Sequence, residues 1–397
     1  RLRFPLMGAK VENSVGTSGL VFFAEHSNQW ISDHASQIND LASRSHWQNP
    51  YFSAEWLISW WKRVGGNKRP VILIVQNRES KLIGIWPFVE KNGLLRSKGI
   101  WPFVYDEANY FHPIAESIAI PLLVDGLKDL LRKYTFAWVP LMRDEFWRNY
   151  LQSKVAEGKF LKIRRVPRMT ALIQPSSVSF EEFWNQKMGT KTRKSFRYDE
   201  RSLADQGQVE FETWVKFEDV RAMMPTTCVV EVESRKTKEG VGLYSIRGKR
   251  AFFFELLPNL ARSGQVRLSI MRLDEQPIAW QLDLLGKHYL AVHHLSFDEQ
   301  FKKFSPGRHL LRWNLERAWE EGRVIDFLPG FFDYKEKLST SIEEVRELHW
   351  FRRSIRGWIA CRLIRWNMRV RKKIRERSVP SSKASMALRK ALTGEPE

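Results

Sequence analysis

Apolar and polar positions fall into recognisable runs from about residue 70 onward, and the order becomes clearer in the second half of the chain. Val71 to Gln76 is short and β-branched, Asn77 to Lys81 holds turn residues, and Leu82 to Val89 resumes as an apolar run ending near Lys91-Asn92-Gly93, which predicts a β-hairpin. Ahead of it, 20–64 reads as mixed helix and loop, with Trp56, Trp60 and Trp61 before Gly65-Gly66. Ile-Trp-Pro-Phe-Val occurs at Ile85 to Val89 and again at Ile100 to Val104, more readily a coincidence than a repeat. From Phe180 to Gln206 the spacing turns helical: Phe183, Trp184 and Met188 come first, the cations Lys191, Arg193, Lys194, Arg197 and Arg201 follow, and Gly207 supplies a stop.

Beyond 250 the spacing predicts a helix over Phe252 to Ala261, bent or ended by Pro258 and stopped by Ser263-Gly264. Strands follow at Val266 to Leu273, Ile278 to Leu285 and His288 to Ser296, then a loop, a helix from Pro306 to Glu321 with Gly322 behind it, and a short strand over Val324 to Leu328. The start of that helix is well marked. Ser305 is placed to cap it, Pro306 suits the first helical position, Gly307 leaves the amides approachable and Arg308 adds a charge, so the helix start can receive an anion. A plain capped surface helix is the competing reading.

Near the end, Ile355, Ile359, Leu363, Trp366, Val370 and Ile374 recur on one helical face, widened by Phe351 and Trp358. Arginines fill much of the remainder. Between Arg352 and Arg377 there are eleven basic residues and one acidic residue, so this window carries half of the net charge of +20. Such a helix suits the headgroup region of an anionic bilayer, and segment 350–377 is the expected membrane-surface contact. Packing of the same stripe on the rest of the protein is the alternative. The serine-bearing stretch from Ser381 to Glu397 reads as mobile.

Composition narrows the class. With 397 residues, 43% of them hydrophobic, the chain has room for two or three domains with cores. Its longest apolar runs, such as Pro70 to Val75, are far too short to span a bilayer, and Arg1 to Lys10 lacks a signal-peptide core. A cytoplasmic protein is expected. Cys228 and Cys361 alone exclude a disulfide framework or a four-cysteine zinc site, and no His-Glu-x-x-His occurs, so no metal is expected. Gly242 to Arg250 fails as a P-loop because the glycine spacing is wrong and Arg250 stands where Ser or Thr would hold magnesium. The charge outside the tail fits an anionic co-substrate better than a specific nucleic acid. Most of the 17 tryptophans lie in apolar stretches and read as core, although some suit a groove for a sugar or lipid.

Three antiparallel strands, a capped helix and another strand resemble the GNAT acetyltransferase fold. In that fold the co-substrate's pyrophosphate lies on the helix start, and its pantetheine arm adds itself like a strand between two diverging strands, here His288 to Ser296 and Val324 to Leu328. More closely, the chain resembles the CelD-type acetyltransferase-like family named after bacterial cellulose biosynthesis. The matching stretches are Phe52 to Trp61, Leu82 to Phe88, Lys191 to Gly207, Gln276 to Trp280, Ser305-Pro306-Gly307 with Leu310-Leu311, Asp326-Phe327, Gly330 and Tyr334-Lys335. Ser234-Arg235-Lys236 departs from the family's Ser-Trp-Lys, which puts an aromatic wall of the acceptor pocket in doubt. The plan also resembles the Fem-type transferases that use aminoacyl-tRNA, but without a long coiled-coil insertion between 208 and 340.

The resemblance implies a mixed α/β (α+β) fold of two fused GNAT-like domains, each a mainly antiparallel sheet flanked by helices, plus a basic amphipathic C-terminal helix. The expected boundaries are 1–175, a connecting helix at 176–207, a second domain at 208–345 carrying the acyl-coenzyme A site, and the tail at 346–397. The implied activity is acyl transfer from acetyl- or acyl-coenzyme A, as a co-substrate and not a tightly bound cofactor. The acceptor would be a polysaccharide, sugar or lipid of the bacterial envelope, and the location the inner face of the cytoplasmic membrane. Direct attack on a thioester needs a donor for the carbonyl oxygen, a base and an acid. Backbone amides of the third strand, Glu233 or His293, and Tyr334 are the candidates in that order. Ser305, Pro306, Gly307 and Arg308 would hold the co-substrate. Asp326 and Lys335 are candidates for a substrate role or for a structural ion pair, and Arg193 and Arg197 for a substrate or structural role. His293 and His294 are strand neighbours on opposite faces, so only one can face a site. The rival is a non-catalytic membrane or nucleic-acid binding protein on a decayed acyltransferase fold.

Overall fold

A computed structural model of the chain describes residues 19–47, 49–93, 97–157, 161–245, 248–330 and 333–378. Arg1 to Lys10 and Ser381 to Glu397 lie outside the described residues, as do the side chains from 371 on, including Ile374.

The first half runs β1 (Val21–Glu25), α1 (Gln29–Asp33), α2 (Ala35–Arg44), α3 (Ala54–Trp60), β2 (Pro70–Gln76), β3 (Leu82–Asn92), β4 (Lys98–Pro102) and β5 (Ile114–Ala115). It continues with α4 (Ile120–Leu130), β6 (Phe136–Arg143), α5 (Asp144–Phe146), α6 (Gln152–Glu157) and β7 (Leu161–Ile173). The second half starts with α7 (Phe180–Lys187), α8 (Thr190–Ala204), β8 (Val209–Trp214), α9 (Phe217–Glu233), α10 (Arg235–Lys238) and α11 (Lys249–Arg262). Then come β9 (Val266–Leu273), β10 (Gln276–Leu285), β11 (Tyr289–Phe297), α12 (Pro306–Glu320), β12 (Val324–Asp326), α13 (Asp333–Leu338), β13 (Ser341–Phe351) and α14 (Ile355–Ser378).

All strands join one mixed α/β sheet in the order β1-β2-β3-β4-β6-β13-β7-β12-β11-β10-β9-β8, with β5 beside β3. Every pairing is antiparallel except β4 with β6 and β11 with β12. Each half therefore repeats one plan: a first strand, helices, three antiparallel strands, a helix, and a strand returning parallel to the third. Near the centre the halves interlock. β13, from the end of the chain, lies between β6 and β7, while β7 from the first half reaches β12 of the second. The boundary expected at 345 thus falls inside β13, because this strand completes the sheet of the other half.

Local signals explain most elements and two departures. Ser179 caps α7 by accepting from the Glu182 amide, but Met188 and Gly189 are extended, so the single helix expected over 180–206 is two, and the cations belong to α8. Pro258 lies within α11 without ending it. The two Ile-Trp-Pro-Phe-Val copies take different shapes: the first is mid-strand in β3, while the second leaves β4 into a turn with Val104 at φ 50°.

Trp56, Trp60, Trp86, Phe88, Phe103 and Phe111 are fully buried in the first half, and the indoles of Trp60 and Trp86 donate to Asp106 and to the Phe111 carbonyl, both at 2.8 Å. Core packing therefore accounts for these tryptophans. The tail helix packs by Gly357, Ala360, Cys361 and Ile364 against Phe136, Trp138, Leu161, Ile163 and Phe351. Phe351 is not part of the helical stripe, being buried at the end of β13, and the large residues expected beside it face outward: Ile355 is 82% exposed, Trp366 65% and Trp358 51%. No helix among the described residues is long and apolar enough to cross a membrane.

Candidate active site

β11 and β12 run together only from Tyr289 to Ala291, paired with Val324 to Asp326. Beyond Ala291, β11 stays with β10 and a gap opens. The register there jumps from Asp283 opposite Val292 to Leu282 opposite His294, so His293 is the extra residue of a β-bulge. Past the bulge the Asp298 amide donates to the Ile278 carbonyl. Counting back in the alternating antiparallel pattern, the Leu295 carbonyl points away from β10 and into the gap. It accepts the Lys236 ammonium at 2.6 Å.

The bulge separates the two histidines. His293 Nδ1 lies 3.2 Å from the Tyr51 hydroxyl, which also receives Asn109, so this ring belongs to the contact between the halves. Burial, then repulsion by His294, Lys236 and Lys249, pushes its pKa down to about 3. His294 faces the end of α9, with Nε2 at 3.0 Å and 3.2 Å from the two Glu231 oxygens and 3.0 Å from Ser296 Oγ. Glu231 also accepts the Trp280 indole at 3.0 Å and the Leu243 amide at 2.7 Å. Burial pushes its carboxyl up, but His294, Ser296 and the Leu243 amide outweigh that and hold it down at about 2. His294 is itself lowered, by burial first and then by Lys236, which leaves a neutral imidazole donating to a carboxylate.

Several expected residues sit elsewhere. Glu233 is exposed, because two helical steps turn it about 200° from Glu231. Ser305 makes no side-chain cap: it sits at φ 53°, and its carbonyl accepts the amides of Arg308 at 2.9 Å and His309 at 3.4 Å. Pro306 occupies the first position as expected, and Gly307 is buried against β11, where an added Cβ would lie 2.9 Å from the Phe297 ring. Arg308 is 3.7 Å from Asp199 of α8, which draws this cation toward α8. Arg193 donates to the Asn185 carbonyl and side chain at the α7–α8 junction, and together with Arg197, Glu181 and Arg312 it lines a small recess.

Asp326 makes its salt bridge to Arg143 and acts on Lys335 only at longer range, where its charge opposes the lowering by burial. It is fully buried and accepts Tyr110, Arg143, Thr170, Tyr289 and the Leu328 amide, at 2.6–2.9 Å. These groups come from both halves, so a buried charge with every lone pair engaged ties β12 to β6, β7 and β11. Lys335 donates to the Phe327 carbonyl at 2.7 Å, and burial lowers its pKa to about 8. Tyr334 stands against the Phe327 ring with 43% of its surface exposed, and partial burial shifts its phenol upward. The start of α12, Lys236 and the α13 pair thus surround the strand gap, whereas Glu233 does not.

Sequence reasoning missed Glu231, chose His293 over its neighbour His294, and noted Lys236 only as part of the Ser234-Arg235-Lys236 motif. Trp280 lies in a quoted motif, and its partner on α9 is legible only once α9 is laid over β10. No group of three or more His, Cys, Asp or Glu is placed to hold a metal among the described residues.

Residues 190–336 match the model of a family described as an acetyltransferase (GNAT) domain. That stretch runs from the start of α8 into α13 and contains the strand gap and the Glu231–His294 pair. A GNAT domain implies an acyl-coenzyme A co-substrate. In fold the chain is similar to FemX, with a TM-score of 0.56 and 14% identity over 82% of this chain and 96% of that one. It is also similar to a conserved protein of unknown function from Bacteroides thetaiotaomicron VPI-5482, with a TM-score of 0.53 and 10% identity over 80% and 97% of the two chains. No curated protein sequence matches it.

Proposed function

We propose that the protein is an acyltransferase of the CelD type that moves an acyl group from acetyl- or acyl-coenzyme A to an amine or hydroxyl of a polysaccharide, sugar or lipid acceptor in bacterial envelope biosynthesis. The observation that carries this reading is the buried Glu231–His294 pair beside the strand gap, inside the stretch that matches the acetyltransferase model. The residues fit an extended amide-bearing donor in part. The Leu295 carbonyl faces the gap, but the Arg308 and His309 amides are already turned onto Ser305. Among the described residues the Gly307 amide is then the one in that turn without a backbone acceptor.

When bound, the co-substrate supplies a thioester carbonyl, and the chain supplies the proton movements. With Nε2–H held by Glu231, His294 Nδ1 takes the proton of the attacking amine or hydroxyl, and the carboxylate stabilises the imidazolium. As the new bond to carbon forms and the carbon–sulfur bond breaks, the Tyr334 phenol protonates the thiolate. Glu231 and His294 replace Glu233 and His293 in these roles. We read 208–345 as the catalytic domain, closed by β13, and 1–175 as a second GNAT-like domain. The exposed stripe of α14 among arginines supports peripheral attachment to the inner face of the cytoplasmic membrane through 350–377.

Calorimetry with acetyl-coenzyme A tests the donor. The parent binds saturably and Arg308→Glu weakens binding about tenfold, or ~1.4 kcal/mol; equal affinities would sink the assignment. Gly307→Trp is a poor probe because it collides with Phe297. Mass spectrometry of lipids and surface polysaccharide from a deletion strain identifies the acceptor.

A further inference from the structure

Near the centre of the sheet, toward the end of β7 away from its pairing with β12, a cavity of about 950 Å³ lies between the α5–α6 segment and the strands β7 and β13. Its walls carry Arg148, Arg164, Arg165 and Arg346, together with Gln152 and Ser153. Both neighbours of β13 slip register at this level. The shift against β6 falls between Arg346 and Leu348, beside Leu141 at φ 46°, and the shift against β7 falls between Val345 and Glu347. Bulges re-aim side chains, and two of them flank the segment that brings Arg346 to the cavity.

The carboxylates do not use up these cations. Asp144 is shared by Arg148, at 2.5 Å, and Arg346, which also reaches Glu344 at 2.5 Å. Glu347 is 3.5 Å from Arg165 but already accepts the Trp138 indole at 2.8 Å and His349 at 3.0 Å. Arg164 has no carboxylate within salt-bridge distance among the described residues; its guanidinium lies 6.0 Å from the Trp147 ring. Four guanidiniums thus face three carboxylates. Each offers five donors in a fork that matches phosphate oxygens two at a time.

We infer that this cavity is a binding site for a phosphate-bearing ligand, separate from the acyl-transfer site. Its volume suits one small molecule or headgroup. One carboxylate, Glu347, lines it beside the four guanidiniums, so the charge of the lining is predominantly positive, with Trp147 and Ala156 as its apolar residues.

The test uses the full chain and inorganic diphosphate in a calorimeter. One saturable site is expected, weakened at least tenfold by Arg164→Gln and again by Arg148→Gln, both at exposed residues, and unaffected by Arg308→Gln at the other site. Sedimentation with phosphatidylglycerol vesicles then separates the sources. Loss of vesicle binding in Arg164→Gln marks a lipid headgroup, and vesicle binding equal to the parent's, with diphosphate binding lost, marks a soluble phosphate compound. No saturable diphosphate binding by the parent, or parent-like binding by both cavity variants, overturns the inference. Because Arg308→Gln reports on the acyl donor site alone, failure of either site is read independently of the other.

Discussion

The same strand divergence occurs twice in this molecule. In the first half β4 pairs with β6 over only Gly99 and Ile100, and an added Cβ at Gly99 would run into the Phe136 ring. Beyond that point Phe103, Tyr110 and Phe111 are buried, and Phe103 packs on Trp60 and Trp61. In the second half the corresponding gap after Ala291 has polar neighbours instead: Glu231, His294, Ser296, Lys236. One topology can thus close its opening with aromatic packing or leave it to groups that are costly to bury. Burying a carboxylate is tolerable only with hydrogen bonds on it, and Glu231 has them.

The comparison breaks first where packing is removed. Trp86→Ala in the first half is expected to lose about 3–5 kcal/mol of stability in a denaturant melt, since it leaves a cavity and an unanswered Phe111 carbonyl. A loss under 1 kcal/mol would mean that this half is not held by its aromatic core. In the second half His294→Gln, whose side-chain amide can still donate to the buried Glu231, should cost acyl transfer about 100-fold or more; retained turnover would remove the ring from the mechanism.

A third test asks what buried charge costs. Asp283 is fully buried, with Gln281 on its carboxyl, Arg267 pulling its pKa down and Glu321 pushing it up, and burial raises it to about 7. A carboxyl raised in the folded state binds its proton more tightly there, so its stabilising effect is complete below the usual value near 4 and is lost as pH rises through 7. Asp283→Asn should therefore gain on the parent by on the order of 4 kcal/mol at pH 8 and little at pH 4. An equal gain at both pH values would show that the carboxyl never titrates in this range.

The smallest expected effect is at the tail. Trp358→Glu with Trp366→Glu should reduce sedimentation with anionic vesicles severalfold and leave melting unchanged, because both rings point outward. Cys361→Arg, on the packed face, should lower stability instead. A deletion control must begin after Phe351, since cutting at Arg346 removes half of a central strand.

Short-range chemistry was legible in the sequence. The strand over Val266 to Leu273, Pro306 at the start of α12 and Gly322 at φ 66° behind it depend on backbone preferences of neighbouring residues and lie where the residue types put them, while the next strand begins at Gln276, two residues before the expected Ile278. The face of a helix that meets its partner is a different matter. Periodicity found the stripe on α14, yet Gly357 and Cys361 make the contact with the sheet, because small residues let the helix approach closely and leave the large ones outside. Glu231 and Glu233 are alike in sequence, and only the placing of α9 over Trp280 and His294 buries one of them. The exchange of β7 and β13 between the halves pairs segments some 170 residues apart, an arrangement that no local pattern encodes. Tertiary packing decided it, because hydrogen-bonding edges that would otherwise stay open are satisfied by whichever strand the fold brings beside them.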